Sequence, residues 1–312
     1  MTFLVCGEAL YDLFAAEGPQ GLSFDARIGG SPFNVAVGLA RMGQDAGMLT
    51  GLSTDNLGRR LRAALEGEGV RADWIAAKDR PTTLSLVDVG PDGGPAYVFY
   101  GTGAADRSLR PGDLAPIAEA VWGLHFGSYA LVADPTGATQ LALAQAEKRR
   151  KLITLDPNVR LNVEPDLDVW RARVDAYAAC ADLVKVSDED LGLLHPGAGV
   201  EAVAARWLGL GAAAVIVTAG GAGARGFTAA AEAQVPAPKV AVVDTVGAGD
   251  TFMAALIAGL AEAGIGDHEA LRALDAPALR SLMGFCAAAA AITCARRGAD
   301  LPRRAELPPL TL

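Results

Sequence analysis

Hydrophobic and polar positions along this chain follow two rhythms. Short apolar runs of strand length occur at residues 3–7, 46–50, 152–155, 183–186 and 214–218. Between them, at residues 31–42, 57–66, 138–150, 167–181 and 200–210, stretches of helical pattern intervene, apolar residues recurring every three or four positions as on an amphipathic helix. In the second of these, Leu57, Leu61 and Leu65 share one face and arginines occupy much of the rest. The first opens after Gly29-Gly30, with Ser31 expected as N-cap and Pro32 as the first helical residue. Strands alternating with helices predict βαβ units. The expected fold class is therefore α/β, with a doubly wound, mostly parallel sheet flanked by helices and ligands at the carboxyl ends of its strands.

Two segments break that rhythm. Residues 17–28 and 82–102 are rich in glycine, threonine and aromatic residues, and Pro91-Asp92-Gly93-Gly94 reads as a turn between residues 84–89 and 97–100. The second segment is thus expected to be a hairpin. Strands inserted at two points of an α/β unit can pair into a small sheet covering one side; ordinary surface excursions are the alternative. The chain has no repeat of solenoid period, and residues 301–312, with three prolines, are expected to pack irregularly.

Composition narrows the function classes. The chain has 312 residues, 51% of them hydrophobic and 20% charged, which gives a large core and excludes a disordered protein. Lys+Arg 27 against Asp+Glu 36 leaves a net charge of −9. That balance argues against nucleic acid or an anionic membrane surface as partner, though backbone donors can still bind a small anion. Cys6, Cys180, Cys286 and Cys294 form no Cys-x-x-Cys pair, and His125, His195 and His268 lie far apart. Reduced thiols in a cytoplasmic protein and no local zinc signature are the expectation. The amino terminus lacks a basic region and places Glu8 inside its apolar run, unlike a signal peptide. The most apolar later stretch, residues 281–295, is alanine-dominated and shorter than the ~20 residues that span a bilayer.

Gly221-Ala222-Gly223-Ala224-Arg225-Gly226 fits a dinucleotide fingerprint in spacing only. Such a fingerprint requires a helix to open there and an acidic residue about twenty positions on; instead an alanine-rich segment runs to Pro236. The chain has no Gly-Lys dipeptide and hence no Walker A loop. The strongest segment is Asp244-Thr245-Val246-Gly247-Ala248-Gly249-Asp250-Thr251-Phe252, ahead of a helical run at residues 253–263. Glycines directly before a helix let several N–H groups converge at the positive end of its dipole, a site for a transferring phosphoryl group. Asp250 beside it can accept a proton from an incoming hydroxyl. The alternative for Asp250 is a simple helix cap.

This string resembles the Asp-Thr-x-Gly-Ala-Gly-Asp-x-Phe signature of the ribokinase-like (PfkB-type) carbohydrate kinases. Gly29-Gly30-Ser31-Pro32-Phe33-Asn34 is similar to the family's Gly-Gly-x-x-x-Asn sugar motif. Gly7-Glu8-Ala9-Leu10-Tyr11-Asp12, Ala105-Asp106 and Asp156-Pro157-Asn158-Val159-Arg160 resemble its fructokinase branch. The matches run in order over nearly the whole chain.

The resemblance implies one ribokinase-like kinase domain over residues 1–312, with a β-sheet lid from about residues 13–28 and 82–104. It implies ATP-dependent phosphorylation of a sugar, with Mg2+ on the nucleotide. Asp250 would be the catalytic base and Gly247, Ala248 and Gly249 the anion hole. Asp12, Gly30 and Asn34 would bind sugar hydroxyls, with Ser31 in the same motif. Thr218, Gly220, Gly223 and Cys286 would serve ATP. The family's Asn-x-x-Glu motif is present as Ser187-Asp188-Glu189-Asp190, which places Ser187 near ATP and Asp190 near Mg2+ through water. Asp244 and residues 293–299 correspond to loops that hold a monovalent cation, K+, and lid strands would pair in a homodimer. Fructose is the leading substrate and 2-keto-3-deoxygluconate the runner-up, with Arg107 and Arg160 as candidate cations for its carboxylate. Ribose or a nucleoside, and a silent sugar- or nucleotide-binding regulator, complete the alternatives.

Overall fold

The computed structural model describes residues 1–18, 21–89 and 95–312. From the amino terminus the chain forms β1 (Thr2–Cys6), β2 (Leu10–Gly18), β3 (Gly21–Gly29), α1 (Ser31–Arg41), β4 (Ala46–Ser53), α2 (Asn56–Gly67) and β5 (Ile75–Lys78). Then follow β6 (Leu84–Val89), β7 (Pro95–Tyr100), β8 (Val121–Gly127), α3 (Thr136–Glu147), β9 (Leu152–Asp156) and α4 (Leu167–Ala178). β10 (Leu183–Ser187), α5 (Asp188–Leu194), α6 (Val200–Leu210) and β11 (Ala214–Thr218) continue the alternation. The last part comprises β12 (Ala224–Thr228), β13 (Glu232–Val235), α7 (Ala248–Glu262), α8 (His268–Arg272) and α9 (Ala276–Cys294).

Among the described residues, one large sheet has the order β13-β12-β11-β10-β9-β8-β1-β4-β5. The strands from β11 to β5 are parallel; β12 and β13 add antiparallel at one edge. Alternate residues of each strand feed opposite layers. In β1, Phe3 and Val5 pack with α1, α7 and α9, whereas Leu4 and Cys6 pack with α3, α4 and α6. Burial on both faces explains why these strands read as continuous apolar runs. The strand order reverses between β1 and β8, so a crevice opens there at the carboxyl ends.

A second sheet, β3-β2-β6-β7, is built from the two segments that break the rhythm. Each segment forms an antiparallel pair, and β2 joins them by pairing parallel to β6. The sheet starts earlier than expected, at Leu10, because Leu10 and Tyr11 are already paired with Gly29 and Ile28. The turn expected at residues 91–94 lies outside the described residues.

Three expectations change. Gly30, not Ser31, is the N-cap of α1; its φ of 106° makes the turn and leaves the Ser31 hydroxyl free. β8 escaped the apolar-run reading because Gly123, His125 and Gly127 interrupt it. His125 is nonetheless fully buried, its ring Nδ1 2.9 Å from Thr154 Oγ1 in β9, and burial pushes its pKa down to about 3. The apolar stretch at 281–295 belongs to the 19-residue α9, which by length and composition could cross a membrane. Half of that helix is buried, and it packs on α7, β12 and β13 as a core helix.

α1 and α7 touch through Gly38: a Cβ there would lie 2.5 Å from Leu301 Cδ2 and 2.7 Å from Ala254 Cβ. Overpacking a core contact costs about 1–3 kcal/mol. Gly38→Val should lower the unfolding free energy by about that amount, seen as a lower denaturation midpoint, and, by spreading α1 from α7, also lower turnover. Chemical denaturation alongside a kinase assay checks both.

Candidate active site

The carboxyl ends of β1, β8, β9, β10 and β11 and the starts of α1 and α7 open on one cleft of about 720 Å³. Its centre is Asp250, in the first turn of α7 and 8% exposed. Ser31 Oγ donates to Asp250 Oδ1 at 2.6 Å and Asn34 Nδ2 donates to Oδ2 at 2.8 Å. Ser31 and Asn34 are three residues apart, so one face of α1 presents both. Each carboxylate oxygen keeps a lone pair for a further donor.

Gly247 precedes α7 at φ 78°, and a Cβ on it would lie 2.6 Å from that of Ala299. Glycine therefore sets both the turn and the closeness of the 293–299 loop. Ala248 donates its N–H to Thr245 O at 3.2 Å. The remaining N–H groups at the helix start have no partner within the helix and add to its positive end. Gly247, Gly249 and Asp250 all face the cleft.

On the side of the small sheet, Asp12, Gly30, Ser31, Asn34 and Arg160 line the cleft together, with Tyr97 and Phe99 of β7. Burial raises the Asp12 carboxyl above its ordinary value, against the charge of Arg160. Arg160 donates Nη1 to the Val159 carbonyl at 3.0 Å and has no carboxylate partner among the described residues. Arg107 stands elsewhere. Its guanidinium lies over the Tyr129 ring, 4.6 Å from the centroid, and faces a separate recess with Lys78, Arg80 and Arg173. Arg107 and Arg160 line different recesses, so the two arginines do not converge.

On the opposite side, Ser187, Asp190, Thr218 and Gly220 line the cleft. Ser187 caps α5 by accepting the Asp190 N–H at 3.0 Å, and Asp190 Oδ1 accepts the Val159 N–H at 3.1 Å. Two residues expected near ATP are not on this wall. Gly223 closes the β11–β12 turn at φ 96°, where a Cβ would be 2.0 Å from Val235 O. Cys286 is fully buried in the α9 core, and burial drives its thiol pKa well above the ordinary value. Asp244 ties its own loop to the 293–299 loop, accepting N–H groups from Val246 at 3.0 Å and Gly298 at 2.8 Å. Burial opposes ionisation there, but these bonds and that of Thr245 hold the carboxyl below its usual range. Among the described residues no three acidic, histidine or cysteine side chains gather closely enough to cage a metal.

A model of the pfkB family carbohydrate kinases matches residues 2–305. The chain belongs to that family. A fructokinase of Rhizobium leguminosarum bv. trifolii is 37% identical over 279 residues, 89% of this chain and 85% of its own. The structure of fructokinase with bound ATP from Xylella fastidiosa superposes with a TM-score of 0.90 at 28% identity, covering 98% of this chain and 96% of that one. Fructokinase from Vibrio cholerae O395, in its fructose, ADP and calcium ion bound form, superposes with a TM-score of 0.80 at 26% identity, covering 97% and 96%. The ribokinase-like fold and the fructokinase-branch resemblance both hold.

Sequence reasoning gave no role to three buried groups of this pfkB-family cleft: Glu8, Asp156 and Lys185. Each is the polar residue at the end of an apolar strand or within it, a signal the periodicity reading passes over. Glu8 is 1% exposed and follows β1. Burial raises its carboxyl to about 7; the charge of Arg160 opposes the shift, and that of Asp106 adds to it. The folded chain thus holds a proton that the unfolded chain releases at about 4.5, so stability is fullest below that pH and falls as pH rises to about 7. Glu8→Gln should remove that slope. Relative to wild type it should gain stability between pH 5 and pH 8, by at most on the order of 3 kcal/mol, as denaturant midpoints at both pH values would show.

Proposed function

We propose that this protein is an ATP-dependent fructose kinase that phosphorylates a primary hydroxyl of the sugar. The observation that carries this reading is Asp250, fixed by Ser31 and Asn34 at the head of α7 and in one cleft with Asp12 and the Thr218–Gly220 turn. The fructose-, ADP- and ATP-bound relatives of this fold support the substrate pair. A sugar hydroxyl between Asp12 and Asp250 gives its proton to Asp250 while its oxygen attacks the γ-phosphorus. The bond from that phosphorus to the β-phosphate oxygen breaks, and ADP leaves. N–H groups at the start of α7 stabilise charge on the transferred group.

The acidic run at the start of α5 fits Mg2+ held through water rather than caged, since Asp188, Glu189 and Asp190 all line the cleft. Bound with ATP, that ion would neutralise charge on the phosphates. The stitched Asp244 and 293–299 loops would present carbonyls to K+. The small sheet closes over the sugar and excludes water. It also carries exposed Leu22, Phe24, Val98 and Tyr100, apolar surface that a homodimer would cover. Free thiols at all four cysteines suit the cytoplasm.

A 2-keto-3-deoxy sugar acid is the competing acceptor, because Arg160 faces the cleft with no carboxylate partner among the described residues. ADP release with Mg-ATP should depend on fructose and exceed that with 2-keto-3-deoxygluconate, ribose or adenosine. Asp250→Asn should lower kcat by about 10²–10⁴-fold. ADP release equal with and without any sugar would overturn the kinase reading. Replacing Na+ by K+ should raise turnover; equal rates in the two salts would remove K+ from the account.

A further inference from the structure

The Ala105-Asp106 pair stands among the sequence motifs, yet neither residue lines the cleft. Asp106 is 3% exposed, and each oxygen of its carboxylate is taken by a hydroxyl from a distant part of the chain. Thr83 Oγ1 donates to Oδ1 at 2.5 Å and Tyr129 OH donates to Oδ2 at 2.8 Å. Burial raises this carboxyl above its ordinary value, while the two hydroxyls and the charge of Arg107 oppose the shift. The short turn that carries it, Ala105–Arg107, is fastened to the large domain. Thr136 Oγ1, at the start of α3, donates to the Asp106 carbonyl at 2.8 Å. Gly51 of β4 makes room for the Ala105 carbonyl, which a Cβ there would meet at 2.3 Å. Apolar residues can fill a buried place without desolvating a charge. The carboxylate therefore calls for a reason other than stability.

Its two donors supply one. Thr83 stands directly before β6, at the foot of the small sheet, and its carbonyl accepts the Tyr11 N–H at 3.2 Å. Asp12, the next residue of β2, lines the cleft. Tyr129, in the turn after β8, lines it too. Phe99 of β7 meets the Tyr129 ring edge to face, with centroids 5.7 Å apart, and also lines the cleft. One carboxylate on the large domain thus holds the foot of the sheet through Thr83, and the ring on which Phe99 rests through Tyr129.

We propose that Asp106 is a positioning residue that clamps Thr83 and Tyr129 to the large domain and so sets Asp12 and Phe99 against the sugar. It touches no substrate. The proposal rests on the kinase reading above. With both hydroxyls in place the small sheet closes in one geometry, and the sugar meets a preorganised wall. With either hydroxyl gone, Asp12 and Phe99 lose that alignment and the sugar binds less tightly. The wall with Ser187, Thr218 and Gly220 lies on the opposite side of the cleft, so ATP binding is spared.

The test is steady-state kinetics in fructose and in ATP on Thr83→Val, Tyr129→Phe and Thr83→Ser, each checked for folding by thermal denaturation. The first two delete one hydroxyl each and keep the rest of the shape. Each should raise the fructose KM by about tenfold, the worth of a hydrogen bond to a buried carboxylate, with the ATP KM within about twofold of wild type. Thr83→Ser keeps the hydroxyl and should restore the fructose KM. A fructose KM for T83V within about twofold of wild type, whatever its denaturation temperature, would overturn the proposal and leave Asp106 a structural pin. Equal rises in both KM values, a rise in Y129F alone, or a T83S as impaired as T83V would overturn it too. Where Y129F does not fold, the two Thr83 variants decide. Wild type without sugar-dependent ADP release would instead overturn the kinase reading, and the proposal with it.

Discussion

The site depends on one buried contact, the pair of hydrogen bonds that Ser31 and Asn34 make to Asp250 across 219 and 216 residues of chain. A carboxylate 8% exposed must be hydrogen-bonded or it costs several kcal/mol. Here the partners come from the helix that follows the small sheet, so satisfying Asp250 also fixes where that sheet sits. The close approach of α1 and α7 at Gly38 and Ala254 extends the same contact down both helices. The proposed base on one helix and the proposed sugar-binding face on the other are thereby held in register.

The large sheet supplies the rest. Its order reverses between β1 and β8, and the strands on either side of that reversal end in polar residues: Glu8, Ser128, Asp156, Ser187 and Thr218 all reach one cleft. A chain with net charge −9 places still more carboxylates there, and binds anionic substrate by local means. Backbone N–H groups at the start of α7, Arg160 on the sugar side and Lys185 beneath the turn oppose that negative field. Crowding has a visible consequence: burial, together with the neighbouring charges of Asp190 and Asp250, raises Asp156 to about 6 even with Lys185 beside it.

Much of the fold was legible because it rests on periodicity. β11 and α6 match the expected 214–218 and 200–210 to the residue, since each is bounded by glycine, threonine or a turn. Periodicity fails where side chains serve the site instead of the core. Ser31 reads as a helix cap because serine is a good one, but its hydroxyl is committed to a carboxylate more than two hundred residues away. β8 is broken by His125 and two glycines, and its place at the switch point is a tertiary fact. Asp12, Gly30, Asn34, Thr218 and Asp250 were found through motif resemblance and do share one cleft. Cys286 is expected near ATP from the family resemblance, and Arg107 near the sugar as a cation for a carboxylated substrate. Packing sends Arg107 onto the Tyr129 ring and Cys286 into the α9 core. Lys185, a single polar residue in an apolar strand, carries no periodic signal, and Glu8 reads only as a charge in the first apolar run and as part of a motif, neither of which tells that it is buried in the cleft.

At the centre of the account, Asp250 acts as a base while the phosphoryl group passes in one direct displacement to the sugar oxygen. The stereochemical course at phosphorus tests this most directly, using ATP made chiral at the γ-position with oxygen isotopes and analysing the configuration of the fructose phosphate by 31P NMR. One in-line displacement predicts inversion. Retention would mean two successive transfers through a phosphorylated protein side chain, and would contradict Asp250 as a base.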